Sequence, residues 1–141
     1  MRERIVAEAR SWIGTPYRHQ ASLKGVGCDC LGLVLGVWRV LYGDLPEPVP
    51  PYAPDWAEAG GRETLAEAAR RHLSACEYED IRAGDLLIFR WRAHVPAKHL
   101  AIATGPERMI HAHDGAEVAE VAITPFWRRR IAYRFRFPGA E

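Results

Sequence analysis

At residues 27–33 the chain reads GCDCLGL, and here a glycine-containing loop gives way to an apolar helix. Apolar residues recur at helical spacing from Cys30 to Leu41, which predicts a helix that buries the face beginning with Cys30. Asp29 stands where the N-cap of this helix is expected. The helix dipole and the unpaired N–H groups at a helix start favour a thiolate and could hold an oxyanion, so we expect a lowered pKa for the Cys30 thiol.

The composition limits the classes of protein that fit. With 141 residues, 48% hydrophobic residues and five tryptophans, the chain is predicted to form one domain over residues 1–141. A net charge of +1 gives no reason to expect nucleic acid or a membrane as partner. The mixed charges of residues 1–10 predict synthesis in the cytoplasm without a signal peptide. Three cysteines, two of them only two residues apart, favour a reducing compartment.

The hydrophobic periodicity changes along the chain. Helical spacing predicts a first helix over residues 2–12 and, beyond a proline-rich stretch at residues 46–54, a third over residues 58–74. Short apolar runs in the second half predict strands. These are residues 86–89, 99–103, 108–112, 117–123 and 131–137. Helices first and strands second predict an α+β domain with a mostly antiparallel sheet.

Two histidines fall on strands that a turn around Gly105 would join. If the pairing is symmetric about that turn, His99 faces His111, and their imidazoles could form a hydrogen bond. Together with Cys30 they would supply a nucleophile, a base and a residue that orients the base. His113 has the same parity as His111 and is the alternative orienting residue. The simpler interpretation is that these are ordinary strand histidines.

Three blocks of sequence point to a known family. They are residues 12–17 (WIGTPY), residues 29–33 (DCLGL), and residues 83–87 (AGDLL) followed by residues 99–102 (HLAI). In order and separation they resemble the NlpC-type cell-wall cysteine peptidases, compact papain-like enzymes that cut peptidoglycan stem peptides. The resemblance implies a papain-like fold in which N-terminal helices, with the nucleophile at a helix start, pack on a C-terminal sheet.

The resemblance also implies roles for individual residues. Cys30, His99 and His111 would be catalytic, and Tyr17 and Asp29 would lie beside the substrate, with Tyr17 helping the N–H of Cys30 to hold the oxyanion. The bond cleaved would join γ-D-glutamate to a diamino acid in the stem peptide. No cofactor is implied.

Leu31 is a departure from the family pattern, in which serine usually follows the cysteine. The change is expected to alter the floor of the cleft, and so substrate preference more than catalysis. The leucine form resembles the branch found in phage tails and gene transfer agents. It implies phage-like tail proteins as partners and a location in the virion or tail.

Three alternatives remain at this stage. Cys28 competes as nucleophile, although it precedes the predicted helix start, whereas Cys76 is expected to pack as a small apolar side chain. The cysteines and histidines could bind a metal, but their spacing matches no common zinc site, so none is predicted. The chain could also be a catalytically inactive wall-binding or tail structural module of the same fold.

The remaining polar residues have simpler interpretations. His19 and His94 are predicted to be polar loop residues. Three consecutive arginines, residues 128–130, precede the last predicted strand and are most simply part of a solvated basic face. Contact with an anionic wall polymer is the less favoured interpretation of these arginines.

Overall fold

The computed structural model describes residues 1–49, 62–77 and 79–140. The helices in this part of the chain are α1 (Arg2–Arg10), α2 (Cys30–Tyr42), α3 (Thr64–His72) and α4 (Pro125–Arg128). The strands are β1 (Ser22–Leu23), β2 (Gly27–Cys28), β3 (Ser74–Ala75), β4 (Leu86–Phe89), β5 (His99–Ala103), β6 (Arg108–His111), β7 (Ala119–Ala122) and β8 (Ile131–Arg136). The predicted α+β class is confirmed.

The main sheet has six strands in the order β3-β8-β4-β5-β6-β7, and all its neighbouring strands are antiparallel. Strands β4 to β7 follow one another as a meander, and β8 returns to pair with the free side of β4. Strands β1 and β2 form a separate hairpin just before α2. The predicted antiparallel arrangement of the second half is therefore confirmed.

Helix α2 is fixed at its start by Asp29 and along its length by a close approach to α1. Oδ1 of Asp29 accepts a hydrogen bond from the N–H of Gly32 at 2.7 Å, as expected for an N-cap. At Gly36, an added Cβ would lie 2.0 Å from Cζ2 of the buried Trp12, so only glycine permits this packing. The helix also packs against β5, which directs Cys30 at its first turn towards the sheet.

The central strands are covered on both faces. Every residue of β4 and β5 is buried. Successive side chains of each strand point to opposite faces of the sheet, so both faces must be covered. One core cluster, containing Ile88 and Leu100, packs beneath α1 and α2. A second, containing Phe89 and Met109, lies on the opposite face with Trp127 against it. The sheet therefore holds the histidine of β5 in a rigid setting.

The hairpin of β5 and β6 differs from its predicted register. Ile102 pairs with Ile110, and the N–H of Thr104 donates to the carbonyl of Arg108 at 2.9 Å. The pairing is therefore symmetric about Pro106, one residue beyond the predicted centre, because the turn is longer than expected.

The longer turn slides one strand by two positions, which leaves every side chain on its predicted face. The prediction that His99 and His111 are directly opposite is wrong. They are diagonal neighbours on the same face, and extension of the observed register would place His113 opposite His99.

Other predicted boundaries also change. The third helix, predicted over residues 58–74, begins at Thr64 in the structure, and Ser74 belongs to β3. Residues 58–61 of the predicted helix lie outside the described chain. Helix α4 and the two-residue strands β1, β2 and β3 were not predicted, and these strands depend on tertiary pairing. Of the proline-rich stretch, residues 50–54 also lie outside the described chain. Among the described helices, none has the length and apolar character needed to span a membrane.

Candidate active site

Cys30 is the first residue of α2 and lines a cavity of about 260 Å³ between this helix and the sheet. Its Sγ lies 3.7 Å from the carbonyl oxygen of Lys98, the residue just before β5, and donates a hydrogen bond to it. The described residues that line the cavity are Tyr17, His19, Asp29, Cys30, Leu31, Trp91, Lys98, His99, Ala112, His113 and Asp114. A thiol and an imidazole thus line the same cavity.

The pKa of Cys30 contradicts the expectation from the helix dipole. Burial, followed by the negative charge of Asp29, raises the pKa of the thiol to about 12. Backbone N–H groups of Cys30, Leu31 and Leu100 act in the opposite direction, but they are the smaller effect. Desolvation of a thiolate and an adjacent carboxylate therefore outweigh the helix N-terminus. The resting thiol is protonated.

His99 and His111 form a hydrogen-bonded pair within the sheet. Nε2 of His99 lies 2.8 Å from Nδ1 of His111, and both residues are buried. Burial is the main reason that the pKa of His99 lies well below 6.5 and that of His111 falls to about 4. Both rings are therefore neutral near neutral pH, so one of them donates and the other accepts.

Two tryptophans pack against this pair, and neither was predicted from the sequence to lie at the site. Trp127 of α4 lies with its ring centroid 5.4 Å from that of His99 and 5.1 Å from that of His111. Trp91, which follows β4, lies 5.3 Å from His99. The proline at the start of α4 signals a helical turn at Trp127, but only the fold brings that turn over the histidines.

His113 lies beyond the end of β6, at the exposed side of the same cluster. Its ring is nearly parallel to that of His111, with centroids 5.7 Å apart, and is also 5.7 Å from His99. As the sequence predicts, His113 and His111 share a face. The buried His111, however, is the one hydrogen-bonded to His99.

Tyr17 and Asp29 are both at the cavity, as expected, but Asp29 has a structural task as well. Its Oδ2 accepts the N–H of Gln20 at 2.7 Å, while Oδ1 caps α2. Burial and the neighbouring Cys30 raise the pKa of the Tyr17 phenol to about 12, so it remains a hydroxyl donor. His19, predicted to be an ordinary loop residue, also lines the cavity, with Nδ1 3.9 Å from Oδ2 of Asp29.

The three cysteines differ in whether they line the candidate site. Cys28 lies in β2 with no exposed surface, and burial raises the pKa of its thiol to about 11. It does not line the Cys30 cavity, and Cys76 is also buried elsewhere. Leu31, in contrast, contributes to the cavity wall. Of the two competing thiols, only Cys30 has access to the candidate site.

No group of three histidine, cysteine or acidic side chains is arranged to hold a metal ion within residues 1–49, 62–77 and 79–140. The alternative ligand set of cysteines and histidines thus has no cluster in the described chain. A thiol and a neutral imidazole that line the same cavity are groups that can exchange a proton during a reaction.

Known proteins share this fold. The sequence pattern of the NlpC/P60 family matches residues 14–136. The NlpC/p60 domain of the peptidoglycan hydrolase SagA is 25% identical, with 97% of this chain and 99% of that domain covered and a TM-score of 0.65. An NlpC/P60 family protein from Bacillus cereus ATCC 10987 is 20% identical with a TM-score of 0.67, over 97% of this chain and 40% of that one.

NlpC2 from Trichomonas vaginalis is also 20% identical, with a TM-score of 0.68 over 96% of this chain and 46% of that one. The chain thus spans less than half the length of the Bacillus and Trichomonas proteins. No curated protein matches it. The family pattern covers most of the chain and the structural likeness covers nearly all of it, so this chain, with its papain-like fold, belongs to the NlpC/P60 family.

Proposed function

We propose that the chain is a cysteine endopeptidase that hydrolyses peptidoglycan stem peptides, with Cys30 as nucleophile, His99 as base and His111 as orienting residue. The observation that carries the proposal is the shared cavity of Cys30 and His99, backed by the hydrogen bond of 2.8 Å between His99 and His111. Family membership and the likeness to the hydrolase SagA support the choice of substrate.

The proposed mechanism uses one of the two tautomeric arrangements that the hydrogen bond between His99 and His111 allows. If Nε2 of His99 carries the hydrogen and donates it to Nδ1 of His111, Nδ1 of His99 is left as the acceptor for the thiol proton. The low pKa of His111 keeps its Nδ1 unprotonated, and therefore able to accept, down to about pH 4. The opposite tautomers would leave His99 without a free acceptor nitrogen.

Acylation begins from a neutral thiol and a neutral imidazole. As Sγ of Cys30 forms its bond to the scissile carbonyl carbon, the thiol proton passes to Nδ1 of His99. The N–H of Cys30 and the hydroxyl of Tyr17 are the proposed donors to the oxyanion. The C–N bond then breaks, and His99 gives its proton to the leaving amine. The product is a thioester at Cys30.

Deacylation reverses these roles. His99 takes a proton from a water molecule as the water oxygen bonds to the thioester carbon. The C–S bond breaks, the carboxylic product leaves, and the proton returns to the sulfur of Cys30. One water is consumed for each amide cleaved, and the enzyme returns to its neutral resting state.

The sequence resemblance supports further proposals about the bond cleaved, the role of Leu31 and the route by which the enzyme reaches the wall. The bond cleaved is that between γ-D-glutamate and a diamino acid, and Leu31 adjusts substrate preference from the cavity wall. Phage-like tail proteins deliver the enzyme, which is then associated with the virion or tail. Co-purification with tail particles would support this delivery, and recovery only as a free protein would count against it.

A second candidate function is an inactive wall-binding or tail module. The raised thiol pKa and the hydrogen bond from Sγ of Cys30 to the carbonyl of Lys98 favour it, because both describe a thiol at rest. The buried histidine pair favours the enzyme, since a binding module has no need of a base that is itself oriented.

Digestion of purified peptidoglycan distinguishes the two. Wild type should release peptide fragments that mass spectrometry identifies, Cys30→Ala should release none, and the matched variant Cys28→Ala should behave as wild type. Identical fragments from wild type and Cys30→Ala, or none from wild type, would refute the enzymatic proposal. New termini at glutamate and the diamino acid would identify the bond.

A further inference from the structure

A second concave surface begins beside the candidate active site. It has a volume of about 610 Å³ and lies where the chain leaving β4 meets the chain entering β8. The N–H of Arg90 donates to the carbonyl of Arg130 at 2.8 Å and joins these two segments. Arg92 and Arg129 lie on the same surface, which we call the arginine groove.

Trp91 links the arginine groove to the Cys30 cavity. Its side chain lines both concavities, and its ring centroid lies 5.3 Å from that of His99. The groove therefore starts about one side chain away from the candidate base. A peptide longer than the Cys30 cavity can hold would pass Trp91 into the groove.

The charge of the arginine groove is not balanced within the described chain. Arg90 is paired with Glu63 and also donates to the carbonyl of Val95. Arg92, Arg129 and Arg130 have no carboxylate partner among residues 1–49, 62–77 and 79–140, and no acidic residue of that part lines the groove.

Arg130 is also held in place. Its Nη1 donates to the carbonyl of Phe126 at 2.8 Å, and its guanidinium lies 3.8 Å from the centroid of the Phe126 ring. A fixed guanidinium loses less side-chain freedom when it binds an anion than a mobile one does. The groove thus combines one ordered arginine with two exposed arginines, Arg92 and Arg129.

We propose that the arginine groove binds the free carboxylate groups of the stem peptide and so selects acidic stem peptides over amidated ones. This inference rests on the proposed function. A γ-linked glutamate keeps its α-carboxylate free, and a diamino acid such as diaminopimelate carries a further carboxylate. The planar guanidinium matches a carboxylate with two parallel hydrogen bonds.

The test uses two synthetic stem peptides that differ only in their groups beside the scissile bond, free carboxylates in one and carboxamides in the other. Wild type should cleave the carboxylate peptide with a kcat/KM about tenfold higher. The double variant Arg92→Gln, Arg129→Gln, which keeps the ordered Arg130, should reduce this preference through a higher KM, with little change for the carboxamide peptide. Arg4→Gln, on the exposed face of α1, is the matched control.

Binding to Cys30→Ala, measured by calorimetry, separates this inference from the proposed function. If the carboxylate peptide binds Cys30→Ala more tightly than the carboxamide peptide, and the two arginine substitutions reduce the difference, the groove is supported even where wild type cleaves neither peptide. Equal binding of both peptides, or equal losses in Arg4→Gln, would refute the groove while leaving hydrolysis by Cys30 intact.

Discussion

Nε2 of His99 lies 2.8 Å from Nδ1 of His111, although the two residues are diagonal rather than directly opposite neighbours in the β5–β6 hairpin. The pairing is possible because both side chains point to the same face and imidazoles are long enough to meet across the diagonal. The pair is largely buried, with Trp127 against both rings.

Replacement of His111 should reveal its orienting role. In His111→Asn, Oδ1 stands as many bonds from the backbone as Nδ1 does in histidine, so it can accept the Nε2–H of His99. We expect His111→Asn to retain kcat within about tenfold, and His111→Ala to lose on the order of 10²-fold. Peptide release from peptidoglycan measures both. Equal activity of the two variants would contradict the orienting role.

Stability should fall as the pH decreases below about 6.5. The pKa values of His99 and His111 are lower in the folded protein than their ordinary value of 6.5, so the unfolded chain binds more protons in this range. The free energy of unfolding should then decrease by up to about 1.4 kcal/mol per pH unit for each histidine. For His111 the loss should be complete near pH 4.

Urea denaturation at several pH values measures this slope. His111→Asn removes one of the two titrating groups while it keeps a hydrogen-bond acceptor, so its slope should be smaller than that of wild type. A wild-type stability that stays constant from about pH 7 to about pH 5 would contradict the neutral, buried pair.

Alkylation of Cys30 should be slow at neutral pH. Its pKa of about 12 leaves on the order of a thousandfold less thiolate than an ordinary thiol has. The rate should rise about tenfold per pH unit in a Cys28→Ser, Cys76→Ser background, in which Cys30 is the remaining thiol. Mass spectrometry follows the modification. Rapid alkylation near pH 6 would show instead that Cys30 and His99 form an ion pair at rest.

Trp127 should protect the histidine pair from water. Trp127→Ala opens the face of both rings, so the pKa of His99 should rise towards 6.5 and the acid limb of the kcat/KM profile should move with it. Trp127→Phe keeps an aromatic cover and should leave the limb close to its wild-type position. An unchanged limb in Trp127→Ala would show that other groups exclude the water.

Gly36→Ala should destabilise the fold even though alanine favours helices by about 1 kcal/mol over glycine. The new Cβ would lie 2.0 Å from Cζ2 of Trp12, whose side chain is buried in the core. Such overpacking costs about 1–3 kcal/mol, so urea denaturation should show a lower free energy of unfolding for Gly36→Ala than for wild type. An unchanged or higher value would contradict the close approach to Trp12. The control is Ala7→Gly on the exposed side of α1, which measures the difference in helix propensity between alanine and glycine without a clash.

Several features follow from local sequence. The spacing of apolar residues defines α2, and Asp29 caps it, because both effects act within a few residues of chain. The alternation of side chains places His99 and His111 on one face of the sheet. This prediction holds although the predicted register was wrong, because a shift of two residues leaves each side chain on the same face. That Cys30 rather than Cys28 reaches the cavity also follows from its position at the helix start.

Other features depend on segments that are distant along the chain. The length of the Pro106 turn sets the diagonal pairing of the histidines. Burial and the charge of Asp29 raise the pKa of Cys30, where the helix dipole alone predicts a decrease. Trp91 reaches His99 because β4 pairs with β5, and Trp127 reaches it because the helix between β7 and β8 lies against the same face of the sheet. Local sequence thus determined which groups are present and which way they face. Burial and register, which depend on long-range packing, decided their protonation and their partners.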